Sequence, residues 1–408
     1  MTTETKYDLY GEQFKADPFP IYAQMRDEDP VCYEQGLEGM IWFVTRRADV
    51  EAVLRDHKRF VKDWRNTRTA EERAQLSPES PLERLLSQHM LNMDGPDHAR
   101  LRGLVNKAFT ARMVNNLRER VQGIADDLLD KVQALGHMDL IDEYAFPLPI
   151  VVISDVLGIP SADRERFRLW SNTFIAPTYG EEDFRRAEKL MLEFTGYLRQ
   201  VFAERRQAPR NDLITGLVHA EEAGDTLNED ELFAMVILLI VAGHETTVNL
   251  IGNGALALLQ HPEQLAKLKA DPSLIEAAVE ELLRYDGPVD RATMRFAAED
   301  VELGGQLIQR GQAVAVALTS ANRDADQFAH PDEVDITRPD NRHLAFGFGV
   351  HYCVGAPLAR MEGQIAINTL VQRLPNLRLT VPADELKWGT VPIIRGMKHM
   401  PVAWDVTA

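Results

Sequence analysis

A short glycine-rich loop around one cysteine constrains this chain more than any other feature. The loop reads Phe346-Gly-Phe-Gly-Val-His-Tyr-Cys353-Val-Gly355, and a helical pattern follows it directly at 356–374. Glycines let the backbone approach a bulky partner, and a following helix start directs N–H groups toward the sulfur. Both features favour a thiolate at Cys353. The alternative, an ordinary buried thiol, is the usual state of a free cysteine and is our interpretation of Cys32, which has no comparable surroundings.

The remainder of the chain has mainly helical patterning with a minor β portion. Apolar residues recur at helical spacing in segments 21–27, 48–55, 113–134, 163–173, 182–206, 229–259, 262–270 and 273–285. Short strands are predicted at 301–308 and 313–318, and strands and turns at 377–402. No repeat, low-complexity tract or long linker divides the 408 residues, so we expect a single domain, 1–408.

Composition excludes some classes of function and indicates a compartment. With 45 Lys and Arg against 63 Asp and Glu, the formal net charge of −18 disfavours a nucleic-acid or anionic-membrane binder. Two distant cysteines indicate a reducing compartment, and the first thirty residues hold no apolar run of signal-peptide length. The apolar stretch 232–259 is interrupted at His244-Glu245, so we interpret it as a buried helix rather than a membrane span. We expect a cytoplasmic protein without a membrane anchor.

That apolar stretch contains polar residues where a core helix would hold leucines. The segment reads Ala242-Gly-His-Glu-Thr-Thr247, and such residues cost stability in a helix interior. A glycine loosens the helix, a threonine hydroxyl bonded to a preceding carbonyl distorts it, and a neighbouring carboxylate can relay protons. Taken alone, the segment could equally be a polar kink or a helix-packing site.

Other candidate residues are weak signals by themselves. Glu281-Leu-Leu-Arg284 places an acid and a base at i and i+3, an arrangement that stabilises exposed helices by only about 0.2–0.5 kcal/mol. Four cationic or imidazole side chains could each be a surface charge or a core histidine. They are His98, Arg102, Arg295 and His351.

Together and in this order, these motifs resemble the cytochrome P450 family. The cysteine loop matches the family's haem-binding signature, Phe-Gly-x-Gly-x-His/Arg-x-Cys-x-Gly, at every position, and the resemblance runs from about residue 17 to the C-terminal strands. It implies a mainly α fold with minor β, with haem b (iron protoporphyrin IX) between a long distal helix and the cysteine-loop helix. Cys353 is then the metal ligand, framed by Phe346, Gly347 and Gly355.

The resemblance also implies a role for each remaining motif. Glu245 and Thr246 match the catalytic acid-alcohol pair, which supplies protons for dioxygen activation; many relatives carry Asp at the first position. Glu281 and Arg284, with Arg338, match a structural triad. The haem propionates would be held by His98, Arg102, Arg295 and His351.

The implied function is a monooxygenase that inserts one oxygen atom from O2 into a medium-sized hydrophobic substrate. No dinucleotide fingerprint, flavin domain or iron–sulfur cysteine set is present, so we expect electrons from a separate ferredoxin or flavodoxin with its reductase. Segment 96–122 carries six basic and two acidic side chains, and we take it either as the docking site of this carrier or as a solvated helix face. Two alternatives stay open, a peroxide-driven peroxygenase and a non-catalytic haem sensor.

The substrate pocket is expected by analogy with the family. It would draw on segments 64–91 and 174–179 and on Val241, Ala242, Val289, Thr293 and Ile393. Apart from segment 64–91, these residues are mostly apolar, which fits a hydrophobic substrate but identifies no particular compound.

Overall fold

Helices dominate the fold, and the small sheets connect distant parts of the sequence. The computed structural model describes residues 6–37, 39–77, 87–163, 166–167, 169–170, 180–220 and 225–406, so the predicted pocket segment 174–179 lies outside the described residues, as do parts of 64–91 and 163–173. The main helices are α1 (Glu12–Ala16), α2 (Phe19–Glu28), α3 (Arg47–Arg55), α4 (Ala70–Ala74), α5 (Gly95–Ala108), α6 (Ala111–Asn115), α7 (Arg118–Val132), α8 (Pro147–Leu157), α9 (Gly180–Gln207), α10 (Leu213–Val218), α11 (Glu229–Gln260), α12 (Pro262–Ala270), α13 (Ile275–Asp286), α14 (Leu318–Ala321) and α15 (Ala356–Arg373). The strands are β1 (Val31–Gln35), β2 (Met40–Val44), β3 (Phe60–Val61), β4 (His137–Asp139), β5 (Arg295–Ala297), β6 (Val301–Leu303), β7 (Gln306–Ile308), β8 (Ala313–Val316), β9 (Arg378–Leu379) and β10 (Pro401–Ala403).

The chain divides into two compact units. The first comprises Met1–Leu76, Ala125–Ala145 and Thr246–Ala408, and the second comprises Ser77–Ile124 and Phe146–Glu245. The expectation of a single domain stays a prediction.

The first unit contains the sheets. Its five-stranded sheet has the order β1-β2-β8-β5-β3, in which β2 and β8 are parallel and the other neighbours are antiparallel. Helix α3 covers this sheet with Val50, Val53 and Leu54, which pack against Val314 and Val316 of β8. Burying such side chains contributes about 1.5–3 kcal/mol each, so this layer fixes the platform that holds Arg295.

A second core in the same unit joins α13 to α15. Leu282 and Leu283 of α13 pack with Ile367 and Val371 of α15, and Leu250 of α11 belongs to the same cluster. Gly363 lets α15 approach closely, because a Cβ atom there would lie 2.8 Å from the Leu250 side chain. This packing places the helix after the cysteine loop beside the helix that carries Glu281.

The regular secondary structure of the second unit is helical in its described residues, apart from a bridge residue at Asp225. Phe202 of α9 and Phe233 of α11 pack with ring centroids 5.2 Å apart. The buried Arg205 donates to Asp212 at 2.6 Å and to the carbonyl of Gly158 at 2.8 Å. Asp212 also caps α10, since its carboxylate accepts from the Thr215 backbone N–H at 2.7 Å.

Helix α11 is the long apolar helix that the sequence predicts. It is the one helix of the described ranges that is long and apolar enough to cross a membrane, and 67% of its most apolar window is buried inside the protein. Such burial is expected of a core helix, in agreement with the sequence interpretation.

The prediction of one continuous helix at 113–134 is wrong, because the structure has two helices there. The structure divides it into α6 and α7, with a break at Asn116 and Leu117, and ends α7 at Val132. The N–H of Asn116 still donates to Arg112, four residues earlier, whereas the N–H of Leu117 donates to Val114, only three residues earlier, where the helix is interrupted. Consecutive asparagines are poor helix formers, so the apolar spacing on either side did not reveal the interruption.

Candidate active site

The cysteine loop is held by its own backbone. The N–H of Cys353 donates to the carbonyl of Phe346 at 3.0 Å, and the N–H of Gly347 donates to Leu344 at 2.8 Å. Gly347 and Gly349 have φ angles of +71° and +75°, a region that favours glycine. The glycine pattern therefore corresponds to two residues with left-handed backbone angles, in a loop that returns Cys353 to hydrogen-bond distance of Phe346.

The cysteine lies just before the start of α15 and is partly exposed. Gly355 is the N-cap of α15, and a Cβ atom there would lie 3.8 Å from the sulfur, an ordinary contact distance. On the same loop Val350 and Tyr352 are 38% and 39% exposed. The loop therefore presents a partly exposed cysteine and a partly apolar outer surface.

A second ion-pair network, which the sequence motifs did not predict, supports this loop. Arg360 of α15 makes two hydrogen bonds to Glu280 of α13, at 2.7 and 2.8 Å, and its guanidinium lies 4.4 Å from the Phe346 ring centroid. His343 also contacts Glu280, at 3.1 Å. Burial opposes ionisation of Glu280, but the hydrogen bonds from His343 and Arg360 outweigh it and lower the pKa of Glu280 to about 2. The adjacent Glu280-Glu281 pair was the available signal.

The structure brings Glu281, Arg284 and Arg338 together, as the motif predicts. Glu281 and Arg284 are fully buried and form two hydrogen bonds of 2.8 Å, and Arg338 donates to Glu281 at 3.0 Å. Asn341 and the backbone N–H of Asp335 also donate to this carboxylate. The bonds from Arg338, Asn341 and Asp335 join α13 to segment 335–341, so the cluster has the geometry of a structural clamp.

Five further predicted residues belong to the first unit. Arg295 is buried in β5 and donates to the carbonyl of Thr293 at 3.1 Å, while His351 is half-buried in the cysteine loop. Lys62 donates to the Thr293 hydroxyl at 2.7 Å, so this polar side chain is already engaged. Val289 forms a bridge with Ile394, and the neighbouring Ile393 accepts from the backbone of Asp290.

In the second unit, α5 carries His98 and Arg102 one turn apart. His98 is buried and Arg102 is half-buried. Two arginines of the basic segment 96–122 are already paired, which leaves fewer of its cations for docking an electron carrier. Arg100 pairs with Glu231 and Asp225, and Arg120 pairs with Asp155 at 2.8 Å. Arg112 and Arg118 remain exposed.

Between residues 231 and 258, helix α11 is buried except at Gly243 and along one partly exposed stripe. The stripe follows the spacing i, i+3, i+4, i+7, i+8 of a single helix face. Its members are Leu238, Val241, Ala242, Glu245 and Thr246. The stripe joins two predicted pocket residues and the acid-alcohol pair, and it adds Leu238, which the sequence analysis did not identify.

Glu245 is a carboxyl group with altered acidity. Burial raises the pKa of Glu245 to about 7, because the charged form loses solvation. A carboxyl group that exchanges its proton near neutral pH is suited to general acid–base work.

The cysteine loop fits a haem. It holds a partly exposed cysteine, Cys353, just before α15, beside the exposed side chains of Val350 and Tyr352. A cysteine thiolate is a ligand that the iron of a porphyrin accepts. The fold and these residues therefore define a haem-thiolate protein.

Comparison with known proteins gives the family. A cytochrome P450 profile matches residues 160–387. Cytochrome P450 monooxygenase PikC of Streptomyces venezuelae is 46% identical, with 97% of this chain and 92% of PikC aligned. Vitamin D(3) 25-hydroxylase of Pseudonocardia autotrophica is 44% identical, with 98% and 97% aligned. The structure of the polyketide synthase cytochrome P450 PksS of Bacillus subtilis 168 superposes with a TM-score of 0.90 at 40% identity, covering 98% of this chain and 100% of PksS.

The chain belongs to the cytochrome P450 family. It has the family's mainly α fold and is an oxidoreductase, a haem-thiolate monooxygenase that uses haem b. The resemblance drawn from the motifs is thereby confirmed, whereas the roles of individual residues stay predictions.

Proposed function

We propose that Cys353 is the axial thiolate of the haem and that Phe346, Gly347 and Gly355 shape its loop. The observation that supports this assignment is the hydrogen bond from the Cys353 N–H to the Phe346 carbonyl, which holds a partly exposed cysteine just before α15. When bound, the thiolate-ligated haem supplies the oxygen chemistry, because the electron-rich sulfur favours O–O cleavage. The chain's own residues bind, orient and exclude water. The propionates are assigned to His98, Arg102, Arg295 and His351.

Glu245 is the proton source of the site, with Thr246 as its hydroxyl partner. Both lie on the exposed stripe of α11, and the raised pKa of Glu245 lets the carboxyl group hold a proton near neutral pH. Oxygen activation consumes two protons for each turnover. A peroxide-driven enzyme would have no need of this pair.

The substrate is a medium-sized hydrophobic molecule. Val241, Ala242 and Leu238 present apolar, partly exposed surface on α11, and Val289 and Ile393 do so near the C-terminal turn. The names of the relatives agree with this size class, since one hydroxylates vitamin D(3) and another serves a polyketide synthase. Thr293 is a poor candidate for a polar substrate contact because Lys62 already donates to its hydroxyl.

Electrons come from a separate ferredoxin or flavodoxin with its reductase. Val350 and Tyr352 give the cysteine loop an exposed surface, and Arg112 and Arg118 are exposed cations of the basic segment. An acidic carrier would be attracted to such cations. The chain acts as a single domain in the cytoplasm.

Reconstitution with purified ferredoxin, ferredoxin reductase and NADPH tests this function. A panel of terpenoids, steroids, fatty acids and macrolactones is first screened for a substrate-induced shift of the Soret band, and compounds that shift it are assayed for oxygenated product. We expect O2-dependent product with the redox system. Product formed with hydrogen peroxide but not with O2 and the redox system would identify a peroxygenase, and the absence of product under both conditions would indicate a sensor.

A charge reversal tests the docking surface. Arg112→Glu should slow reduction of the haem by ferredoxin at low salt, and the difference from the wild type should shrink at high salt because ions screen the attraction. Unchanged reduction at low salt would exclude Arg112 from docking.

A further inference from the structure

His244 lies between Gly243 and Glu245 in α11, yet its side chain points away from the exposed stripe. Ala242 is exposed and Glu245 is half-buried, whereas His244 is 1% exposed. Consecutive residues of a helix point about 100° apart, so a buried His244 is compatible with a Glu245 that reaches the stripe.

The imidazole of His244 is bonded to one backbone group. Its Nε2 lies 3.2 Å from the carbonyl oxygen of Phe146, and because a carbonyl only accepts, Nε2 carries the hydrogen. The ring also meets the Phe146 ring edge-on, with centroids 4.4 Å apart. Nδ1 is buried with no hydrogen-bond partner.

His244 is neutral at working pH. Burial lowers the pKa of His244 to about 4, and the hydrogen bond to Phe146 only partly offsets that effect. The ring therefore keeps a single N–H, directed at Phe146, throughout the pH range in which Glu245 titrates.

The hydrogen bond of His244 is a directional contact. It lies next to Gly243, which has no side chain and at which a Cβ atom would reach Ile153 at an ordinary 3.5 Å. An apolar side chain can slide against its neighbours, but a hydrogen bond is directional and fixes the rotation of the turn about the helix axis.

We propose that His244 is a positioning residue, which holds the Glu245 carboxyl group in place on α11 through the hydrogen bond from its Nε2–H to the Phe146 carbonyl. This inference rests on the proposed role of Glu245 as the proton source. His244 itself contacts neither the substrate nor the reacting atoms.

Three substitutions of His244 distinguish the effect of its hydrogen bond from the effect of its packing. His244→Gln places an amide N–H near the position of Nε2, His244→Asn has the same chemistry with one methylene less reach, and His244→Phe keeps the ring without a donor. We expect the Gln variant to give product per NADPH within about twofold of wild type, and the Asn and Phe variants to lose roughly tenfold. Substrate affinity and the carbon monoxide spectrum should be unchanged in all three.

A second readout does not depend on turnover. Amide hydrogen exchange of residues 238–246, measured on the haem-loaded protein, should be faster in the Asn and Phe variants and close to wild type in the Gln variant. The proposal would be overturned if the Gln and Asn variants had equal amide exchange rates and formed equal amounts of product per NADPH, because His244 would then act by packing alone.

Glu245→Gln distinguishes the two hypotheses. If that variant still couples NADPH oxidation to product as the wild type does, the proposed role of Glu245 is wrong. If it uncouples while His244→Asn and His244→Phe do not, the role of Glu245 stands and the positioning role of His244 is wrong.

Discussion

Glu280 of α13 binds Arg360 of α15 through two parallel hydrogen bonds, 2.7 Å from Nε to Oε1 and 2.8 Å from Nη2 to Oε2. Arg360 in turn lies over Phe346 and donates to the Tyr352 hydroxyl at 3.1 Å. One carboxylate therefore connects the helix of the buried triad to both ends of the cysteine loop. Bidentate geometry of this kind gives orientation as well as attraction.

Replacing Glu280 should loosen the cysteine loop. In Glu280→Gln we expect the thiolate-type carbon monoxide band to decay faster on mild heating, because Arg360 loses its charged partner; decay rates at one temperature measure this. The lowered pKa implies a stabilising effect that is present above the unfolded carboxyl pKa and is lost as the pH falls through about 2. Glu276→Gln, at an exposed position of the same helix, is the control. Equal decay in both variants would contradict the prediction.

The assignment of the iron ligand is tested with the two cysteines as a matched pair. Cys353→Ser should abolish the strongly red-shifted Soret band of the reduced carbon monoxide complex, because the alcohol is a poor substitute for a thiolate. Cys32→Ser should keep the band. Cys32 lies half-buried in β1, where burial, with a smaller contribution from Glu34 and Asp29, raises its pKa to about 12 and keeps it a thiol. A band retained in Cys353→Ser would refute the assignment.

The buried triad should be far more sensitive than an exposed ion pair nearby. Arg338→Gln removes one partner of the fully buried Glu281, and breaking such a pair costs about 3–5 kcal/mol of the free energy of unfolding. Arg342→Gln, which removes an exposed pair with Asp340, should leave that free energy unchanged. Urea unfolding of both variants gives the comparison. Similar losses would show that the triad is not a clamp.

Because of Glu362 in α15, we expect the free energy of unfolding to depend on pH. It is 2% exposed, Oε2 has no hydrogen-bond partner, and burial raises its pKa to about 8. A raised carboxyl pKa means that the folded state binds the proton more tightly, so stability falls as the pH rises from about 4.5 to 8, by at most about 1.4 kcal/mol per pH unit. Glu362→Gln should remove this part of the slope. Urea unfolding at pH 5 and pH 8 measures it, and parallel slopes in both proteins would exclude Glu362 as its source.

The amount of product formed per NADPH should depend on the ionisation of Glu245. Because burial raises the pKa of Glu245 to about 7, the protonated form predominates below neutral pH and decreases above it. We expect product per NADPH to decline through pH 7 in the wild type and to be low and nearly independent of pH in Glu245→Gln. Glu245→Asp should retain a pH-dependent profile. A Gln variant with the wild-type profile would exclude Glu245 as the titrating group.

The helices and the cysteine loop were predictable from sequence because their signals are local. Predicted segments 229–259 and 262–270 agree closely with α11 and α12. By contrast, β1 and β2 were missed: β2 gains its second neighbour from β8, about 270 residues away, and no local pattern reveals such a pairing. The contacts of Glu280 and the buried orientation of His244 likewise depend on residues distant in sequence.

The close approach of the cysteine loop to α3 matters for protein engineering. At Gly349 a Cβ atom would lie 2.6 Å from the carbonyl oxygen of Leu54, and the φ angle of +75° disfavours any side chain. Gly347 has a similar φ angle but no atom within 4 Å of its Cβ position. A mutant library intended to alter electron transfer should therefore leave codon 349 fixed and place its diversity at Val350 and Tyr352, where side chains already reach solvent.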